Sequence, residues 1–217
     1  MRMRKKKWAD PYIEAHSDYI YESPLELKGK WRELLGGTKL HVEIGAGKGG
    51  YLNAMAAMYP EECWVGIEKD RNAAAVAARK AIEDESRPLD NKRLITGRAE
   101  DMEAWFADGE IDVIHLNFSD PWPKKGTHKR RLSSASFLAM YRKLLSEDGI
   151  IQMKTDNSAL FEDSVLYFLN NGFVLKEISV DYRRVPHEED AVTEYEQKFM
   201  DLNQPIYRLC AARGESV

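Results

Sequence analysis

Short apolar runs and longer amphipathic segments alternate along the chain from Lys39 onward. The apolar runs have the length of buried strands, and the amphipathic segments carry apolar residues at helical spacing. We predict strands at 40–44, 63–67, 93–96, 111–118, 150–154, 173–180 and 205–211. We predict helices at 51–59, 73–85, 99–107, from 133 or 134 to about 148, from 157 or 158 to 171, and around 192–200. This alternation predicts an α/β fold in which crossover helices join parallel strands into a doubly wound sheet.

The first 36 residues do not share this pattern. They mix Arg and Lys with aromatic side chains such as Trp8, Tyr12 and Trp31. We interpret residues 1–36 as a basic, aromatic N-terminal arm outside the main sheet, and residues 37–217 as a single domain. Interleaved aromatics and cations can stack on bases and neutralise phosphates. They can equally pack an arm onto its own domain, and both roles stay open at this point.

The charge distribution is uneven along the chain. The net charge is −4 at pH 7, yet residues 1–8 and residues 124–131 each carry five cations and no acid. The rest of the chain is therefore strongly acidic. Two dense basic patches on an acidic body are typical of a protein that binds RNA.

Length and composition narrow the class of protein. A chain of 217 residues, 43% hydrophobic and 31% charged, is typical of one soluble globular domain. Because no apolar run approaches the ~20 residues that cross a bilayer, and no apolar segment follows the basic N-terminus, we expect a cytoplasmic protein with no membrane contact. Cys63 and Cys210 are too few and too far apart for a disulfide framework or a zinc site, so we expect two buried thiols and no metal.

Polar residues stand at the ends of the predicted parallel strands. They are Glu43, Glu68, Arg98, Asp120 and Asp156. In a doubly wound sheet, ligands bind outside the carboxyl ends of the strands. We therefore expect these residues to line one ligand site.

The loop after the first strand is glycine-rich. Gly45, Gly47 and Gly50 satisfy the dinucleotide pattern GxGxxG, and the acid Glu68 follows about 20 residues later. The same layout suits S-adenosylmethionine, whose ribose hydroxyls an acid at the end of the second strand can accept. Glu43 favours the second ligand, because a carboxylate there would repel a pyrophosphate and attract the methionine ammonium.

The segment 117–124, Asn-Phe-Ser-Asp-Pro-Trp-Pro-Lys, follows the fourth strand. Pro121 and Pro123 fix their own φ angles and restrict the residues before them, which predicts a stiff loop around Asp120 and Trp122. An acid can hold the edge of a base while an aromatic ring holds its face. The cations that begin at Lys124 then suggest a base carried on a phosphate backbone.

Several motifs together resemble one family. They are the glycine loop with Glu43, the 117–125 segment, Lys-Arg-Arg-Leu at 129–132, Thr155-Asp156 and Thr-x-Tyr-Glu at 193–196. In this combination the chain is similar to the bacterial tRNA (guanine-N7-)-methyltransferases over nearly its whole length. The resemblance implies a Rossmann-like class I methyltransferase fold, with a seven-stranded, mostly parallel sheet whose last strand is antiparallel. It also implies methyl transfer from S-adenosylmethionine to guanine N7 at variable-loop position 46 of tRNA.

The resemblance also assigns roles to residues. The cofactor positions are Glu43, Gly45, Gly47, Glu68, Arg98 and Asp120, and Asp120 is also the proposed catalytic residue. The positions for the tRNA substrate are Lys124, Asp156, Thr193, Tyr195 and Glu196. We add Lys129, Arg130 and Arg131 as contacts to the tRNA backbone, and we expect a monomer or a homodimer.

The sequence departs from the family pattern in two places. The usual acid after the third strand is replaced by Arg98, so either its backbone or the nearby Glu100 takes that position. Gly126 and Thr127 stand where the family has Arg and His, which puts two tRNA contacts in doubt.

Structural alternatives stay open for two of the assigned positions. Asp156 precedes a predicted helix and is a good N-cap residue. Thr193 and Glu196 match a capping box. Three other classes of protein also stay open on the residues alone: an RNA-binding module without activity, a nicotinamide oxidoreductase, and a methyltransferase for another RNA or a small molecule.

Overall fold

The computed structural model describes residues 5–214 and divides into two compact units, which meet in sequence at Ala107 and Asp108. Arg2 and Arg4, which belong to the predicted basic arm, lie outside the described residues. Among the described residues, no helix is long and apolar enough to cross a membrane.

The first unit contains four strands and five α-helices within its described part. The strands are β1 (Ile20–Tyr21), β2 (Leu40–Ile44), β3 (Cys63–Glu68) and β4 (Lys92–Thr96). The helices are α1 (Ala9–Ala15), α2 (Trp31–Leu35), α3 (Gly50–Met58), α4 (Arg71–Ile82) and α5 (Met102–Trp105). The strands are all parallel, in the order β1-β4-β3-β2.

Helix α4 begins at a strong cap and packs through small side chains. The carboxylate of Asp70 accepts from the backbone N–H of Asn72 and Ala73, so Asp70 is the N-cap and α4 begins at Arg71, two residues before the predicted start at residue 73. Six buried alanines form its inner face, which allows a close approach to neighbouring backbone. Gly49 shows how close: a Cβ there would lie 2.9 Å from the Cβ of Ala77.

The N-terminal segment adds a strand next to β4, which corrects the prediction of an arm outside the main sheet. Ile20 and Tyr21 pair in parallel with Leu94 and Ile95 of β4. Trp31 is fully buried and donates its indole N–H to the carbonyl of Trp105 at 2.9 Å. A two-residue strand carries too little periodicity to be recognised in the sequence. The boundary at residues 36 and 37 stays a prediction.

The second unit contains four strands and three α-helices within its described part. The strands are β5 (Ile111–Asn117), β6 (Leu145–Thr155), β7 (Phe173–Ser179) and β8 (Tyr207–Arg213). The helices are α6 (Ala135–Leu144), α7 (Ser158–Asn170) and α8 (Glu194–Asp201). The strand order is β5-β6-β8-β7; β5 and β6 are parallel, and β8 is antiparallel to both of its neighbours.

The sheet differs from the prediction in strand number and in one helix end. The described residues form eight strands and not seven, because β1 is added; the antiparallel last strand is confirmed. Helix α6 ends at Leu144, four residues before the predicted end, because Leu145 already pairs with Ile111 and the pairing resumes after a bulge at Ile150. Cys63 and Cys210 are free and buried, as predicted.

Candidate active site

The glycine loop of the first unit turns sharply between β2 and α3. Gly45, Gly47 and Gly49 have φ angles of +83°, +56° and +73°. Residues with a Cβ rarely adopt this left-handed conformation, so glycine is needed for the turn. Among the described residues, apart from Gly45 and its two chain neighbours, no atom comes within 4 Å of the position that a Cβ would take on Gly45. This side of the loop therefore has room for a ligand.

Two buried carboxylates lie at the carboxyl ends of β2 and β3. Glu43 and Glu68 are only 3% and 8% exposed. Glu68 accepts hydrogen bonds from the backbone N–H of Gly47 at 2.9 Å and of Asp70 at 2.8 Å. One side chain thus fixes both the glycine loop and the start of α4. A carboxylate has about four acceptor positions, so Glu68 retains capacity for the predicted ribose hydroxyls.

Arg98 and Glu100 form an ion pair after the third predicted strand, where the family usually has an acid. The guanidinium of Arg98 bonds the carboxylate of Glu100 at 2.6 Å, and both side chains are more than half exposed. The Arg98 backbone is extended, with φ −97° and ψ 141°. Arg98 therefore reaches Glu100 with its side chain, and its predicted cofactor contact would come from the backbone.

These residues fit S-adenosylmethionine. The open side of Gly45 gives a close approach to the backbone, and the buried carboxylate of Glu43 supplies the negative charge that an ammonium requires. Glu68 adds acceptors for a ribose. Within residues 5–214, no group of three or more His, Cys, Asp or Glu side chains is arranged to hold a metal ion.

In the second unit, the loop around Asp120 is held in a strained conformation. Phe118 and Trp122 have φ angles of +50° and +41°, a region that bulky residues populate at a cost of about 1–3 kcal/mol each. The backbone N–H of Phe118 donates to the carbonyl of Lys154 at 2.8 Å. Asp120 lies between the two strained residues and is exposed.

Asp120, Asp156 and Tyr195 are electrostatically coupled in this unit. Burial raises the pKa of Tyr195, and the negative charges of Asp156 and then Asp120 raise it further. Both carboxylates therefore act on the same phenol. Burial also raises the pKa of Asp156. The sequence predicted all three as site residues, and their shared role stays a prediction.

Tyr195 stands on a packed aromatic cluster. Its ring centroid lies 5.4 Å from that of Phe118 and 5.1 Å from that of Phe199, and Tyr195 itself is 49% exposed. Phe118 and Phe199 are nearly parallel, at 6.4 Å. A supported but accessible ring is a surface on which a base can stack. Phe118 and Phe199 were not predicted as site residues, although the i, i+4 spacing of Tyr195 and Phe199 on α8 indicates that these two side chains are in contact.

The N-cap role that was open for Asp156 is taken by its neighbour. The Asn157 side chain accepts from the N–H of Leu160 at 2.8 Å. Capping of α7 therefore does not account for Asp156. Its partly buried carboxylate stays a candidate contact for the substrate.

Thr193 and Glu196 form the capping box that the sequence left open. The Thr193 hydroxyl accepts from the N–H of Glu196 at 2.8 Å, and the Glu196 carboxylate accepts from the N–H of Thr193 at 3.2 Å. Both groups are engaged at the start of α8. The box fixes the helix that presents Tyr195.

Glu196 is also part of a buried ion network. It is fully buried, and its two oxygens lie 2.6 Å from Arg183 Nε and 3.1 Å from Lys154 Nζ. Asp190 completes the network at 2.6 Å from each of these two cations. The carboxylate therefore faces the protein interior, which favours Asp156 over Glu196 as a second acceptor for the base. Lys154 lies within the predicted strand 150–154. It could have indicated this network from the sequence, because buried lysines are almost always paired.

The basic segment 124–131 divides into outward and inward cations. Lys124, Lys129 and Arg130 are exposed, and the Arg130 guanidinium lies 5.0 Å from the ring centroid of Trp122. Arg131 is only 3% exposed. Its guanidinium bonds the carbonyl of Pro121 at 2.7 Å and Asp163 at 2.6 Å. This burial argues against the predicted backbone contact of Arg131 and leaves the other cations as candidates.

Known proteins with similar structures define the class. A family model described as "Putative methyltransferase" matches residues 37–209. An antibiotic-related methyltransferase has a TM-score of 0.65 at 16% identity, over 85% of this chain and 92% of its own. A 30S ribosomal methyltransferase from an uncultured bacterium has a TM-score of 0.60 at 17% identity, over 85% and 93%. The fold is thus the Rossmann-like class I methyltransferase fold.

Curated relatives define the family more narrowly. The tRNA (guanine-N(7)-)-methyltransferase of Limosilactobacillus reuteri is 43% identical over 213 residues, 97% of this chain and 99% of the relative. That of Geobacillus kaustophilus is 44% identical over 214 residues, 98% and 97% of the two chains. This chain belongs to the tRNA (guanine-N7-)-methyltransferase family, and the resemblance stated from its motifs is confirmed.

Proposed function

We propose that this protein transfers a methyl group from S-adenosylmethionine to N7 of a guanine in tRNA, at variable-loop position 46. The observation that carries the proposal is the half-exposed Tyr195 ring, which packs 5.4 Å from Phe118 in the Asp120 loop. The charges of Asp156 and Asp120 both act on its phenol. Two carboxylates beside an accessible aromatic ring can bind the edge and the face of a guanine. The activity named for the curated relatives supports the same reaction.

The first unit would bind the cofactor. The proposed contacts are Glu43 to the methionine ammonium, Gly45 and Gly47 through the open backbone, Glu68 to the ribose and Arg98 through its main chain. When bound, S-adenosylmethionine supplies an electrophilic methyl group on a sulfonium.

Methyl transfer to guanine N7 requires mainly that the protein align the reactants and stabilise the charge that develops on the purine. Guanine N7 carries a free lone pair, so no proton has to be removed before attack, and correct alignment supplies much of the rate. The purine gains positive charge during the transfer, which a preorganised carboxylate stabilises. Asp120 takes this role in the proposal, and Asp156 accepts from N1–H or the 2-amino group.

The tRNA has to be held while the base enters. A guanine within folded tRNA must leave its stack at a cost of a few kcal/mol. The exposed Lys124, Lys129 and Arg130 would offset that cost through phosphate contacts. The face of Tyr195, supported by the aromatic cluster, would stack on the extruded base.

Labelled methyl transfer to tRNA tests the reaction and its residue. We expect 7-methylguanine as the product of the wild-type protein. Asp120→Ala should abolish transfer while tRNA binding persists, and Asp148→Ala, at an exposed strand position in the same unit, should leave the rate unchanged. A different modified base would refute the proposed function. Turnover of Asp120→Ala within a few-fold of wild type would refute the assignment of Asp120.

The salt dependence of tRNA binding tests the basic segment. Each phosphate contact contributes roughly 0.7–0.9 to the slope of log K against log salt. Arg130→Gln should lower the slope by about that amount, whereas Lys176→Gln, at an exposed position of β7, should not. An unchanged slope would remove Arg130 from the interface.

A further inference from the structure

The Arg131 guanidinium is directed into the protein at the base of the Asp120 loop. Its Nε donates to the carbonyl of Pro121 at 2.7 Å, one terminal nitrogen bonds the Asp163 carboxylate at 2.6 Å, and the other lies 3.0 Å from Nε2 of His128. Three acceptors in three directions match the planar fork of a guanidinium. A lysine has its donors on a single nitrogen, whereas the guanidinium uses a different nitrogen for each of the three acceptors.

This arrangement fixes the tautomer of His128. A guanidinium has no acceptor, so Nε2 of His128 must accept, and the ring proton lies on Nδ1. Nδ1 lies 3.3 Å from the hydroxyl of Tyr167. Asp163 and Tyr167 are four residues apart on α7, so one face of this helix anchors both Arg131 and His128.

The anchored carbonyl belongs to the strained loop. Pro121 lies between Asp120 and Trp122, and Trp122 has a φ of +41°. Strained backbone of this kind persists only where its surroundings determine it. The contacts that do so on this side are the Arg131 bond to the Pro121 carbonyl and the Arg130 guanidinium at 5.0 Å from the Trp122 ring.

We propose that Arg131 is a positioning residue that fixes the Asp120 loop against α7. It acts through Pro121 and touches neither RNA nor cofactor. Neighbouring cations in the 3-10 helix Lys125–Arg130 and just after it thus have different roles: Arg130 faces solvent, and Arg131 holds the loop. The proposal rests on the proposed function in so far as Asp120 is its catalytic residue.

Kinetics separate positioning from RNA binding. Arg131→Gln should lower kcat by about a hundredfold, the cost of a displacement near 1 Å, while the KM for tRNA and the salt slope of binding stay as in wild type. Arg131→Lys should recover only part of kcat, because one ammonium replaces three directed donors. Arg213→Gln is the matched control: that guanidinium also bonds backbone carbonyls of the second unit, those of Arg142 and Leu145, outside the Asp120 loop. It should leave kcat unchanged.

A readout without substrate tests the loop itself. With 5-fluorotryptophan, the five tryptophans give separate fluorine signals, and Trp122→Phe assigns the one of interest. Arg131→Gln should shift or broaden the Trp122 signal and leave the other four in place. If Arg131→Gln does not fold, Asp163→Asn, which keeps the acceptor but loses the charge, should show the same change to a smaller degree.

The two readouts keep the proposals apart. If the wild-type protein did not methylate tRNA, the proposed function would be refuted. The fluorine signal of Trp122 would still test whether Arg131 positions the loop. A wild-type Trp122 signal in Arg131→Gln, or a reduced salt slope with normal kcat, would overturn the positioning role.

Discussion

Removal of the Glu196 carboxylate should be among the most destabilising single changes in the second unit. Glu196→Ala leaves Arg183 and Lys154 buried with Asp190 as their remaining counter-ion in the network. Breaking a buried pair by deletion of one partner costs about 3–5 kcal/mol. Loss of the capping box with Thr193 adds about 1 kcal/mol. At roughly 2–4 °C per kcal/mol for a chain of this size, we expect Tm to fall by roughly 8–24 °C.

Urea unfolding at pH 7 measures this loss, with a surface pair as the control. Glu83 forms an i, i+4 pair with Arg79 at 2.8 Å, and both side chains are about half exposed. Glu83→Ala should therefore cost about 0.5 kcal/mol or less. The reasoning would be refuted if Glu196→Ala cost less than about 1 kcal/mol and raised only the KM for tRNA, because that result would describe a substrate contact and not a buried anchor.

Three further changes test local features. Asp70→Ala removes the cap of α4 and should cost about 1 kcal/mol in urea unfolding, with an unchanged m value; no loss would mean that the cap is dispensable. Gly49→Ala places a methyl group 2.9 Å from Ala77 at a φ of +73°, so it should destabilise by about 1–3 kcal/mol or more and weaken S-adenosylhomocysteine binding measured by calorimetry. Burial raises the folded-state pKa of Asp156 above its unfolded value, so the ionised form is disfavoured on folding. Asp156→Asn should therefore stabilise the protein at pH 7, and the gain should vanish as the pH falls below the unfolded pKa of about 4; an equal gain at both pH values would contradict the assigned cause.

Hydrophobic periodicity was a good guide wherever an element was long enough to show it. The predicted strands at 40–44 and 63–67 match β2 and β3 within a residue. β1 was not predicted, because two residues are too few to show hydrophobic periodicity and its partner β4 is remote in sequence. The end of α6 was predicted too late, because Leu145 continues the helical pattern of apolar residues although its backbone pairs with Ile111.

The sequence was sufficient to place charged residues at strand ends, as at Glu43, Glu68 and Asp120, and their roles in a site stay predictions. It was not predictable where the direction of a side chain decided the role. Arg130 and Arg131 are identical neighbours in the sequence, and only the turn of the backbone sends one outward and the other into the protein. Glu196 likewise looks accessible in a polar stretch, and its burial follows from Arg183 and Lys154, which are distant in sequence.

The pairing of β1 with β4 also has a consequence for the order of events during synthesis. Ile20 and Tyr21 leave the ribosome long before Leu94 and Ile95, their partners in the sheet. At about 5–20 residues per second, that delay lasts for several seconds. Trp31 donates to the carbonyl of Trp105, which is synthesised after a similar delay. The aromatic N-terminal segment therefore stays unpaired while the centre of its sheet forms, and this is the interval in which a nascent chain would expose it to chaperones or to other chains.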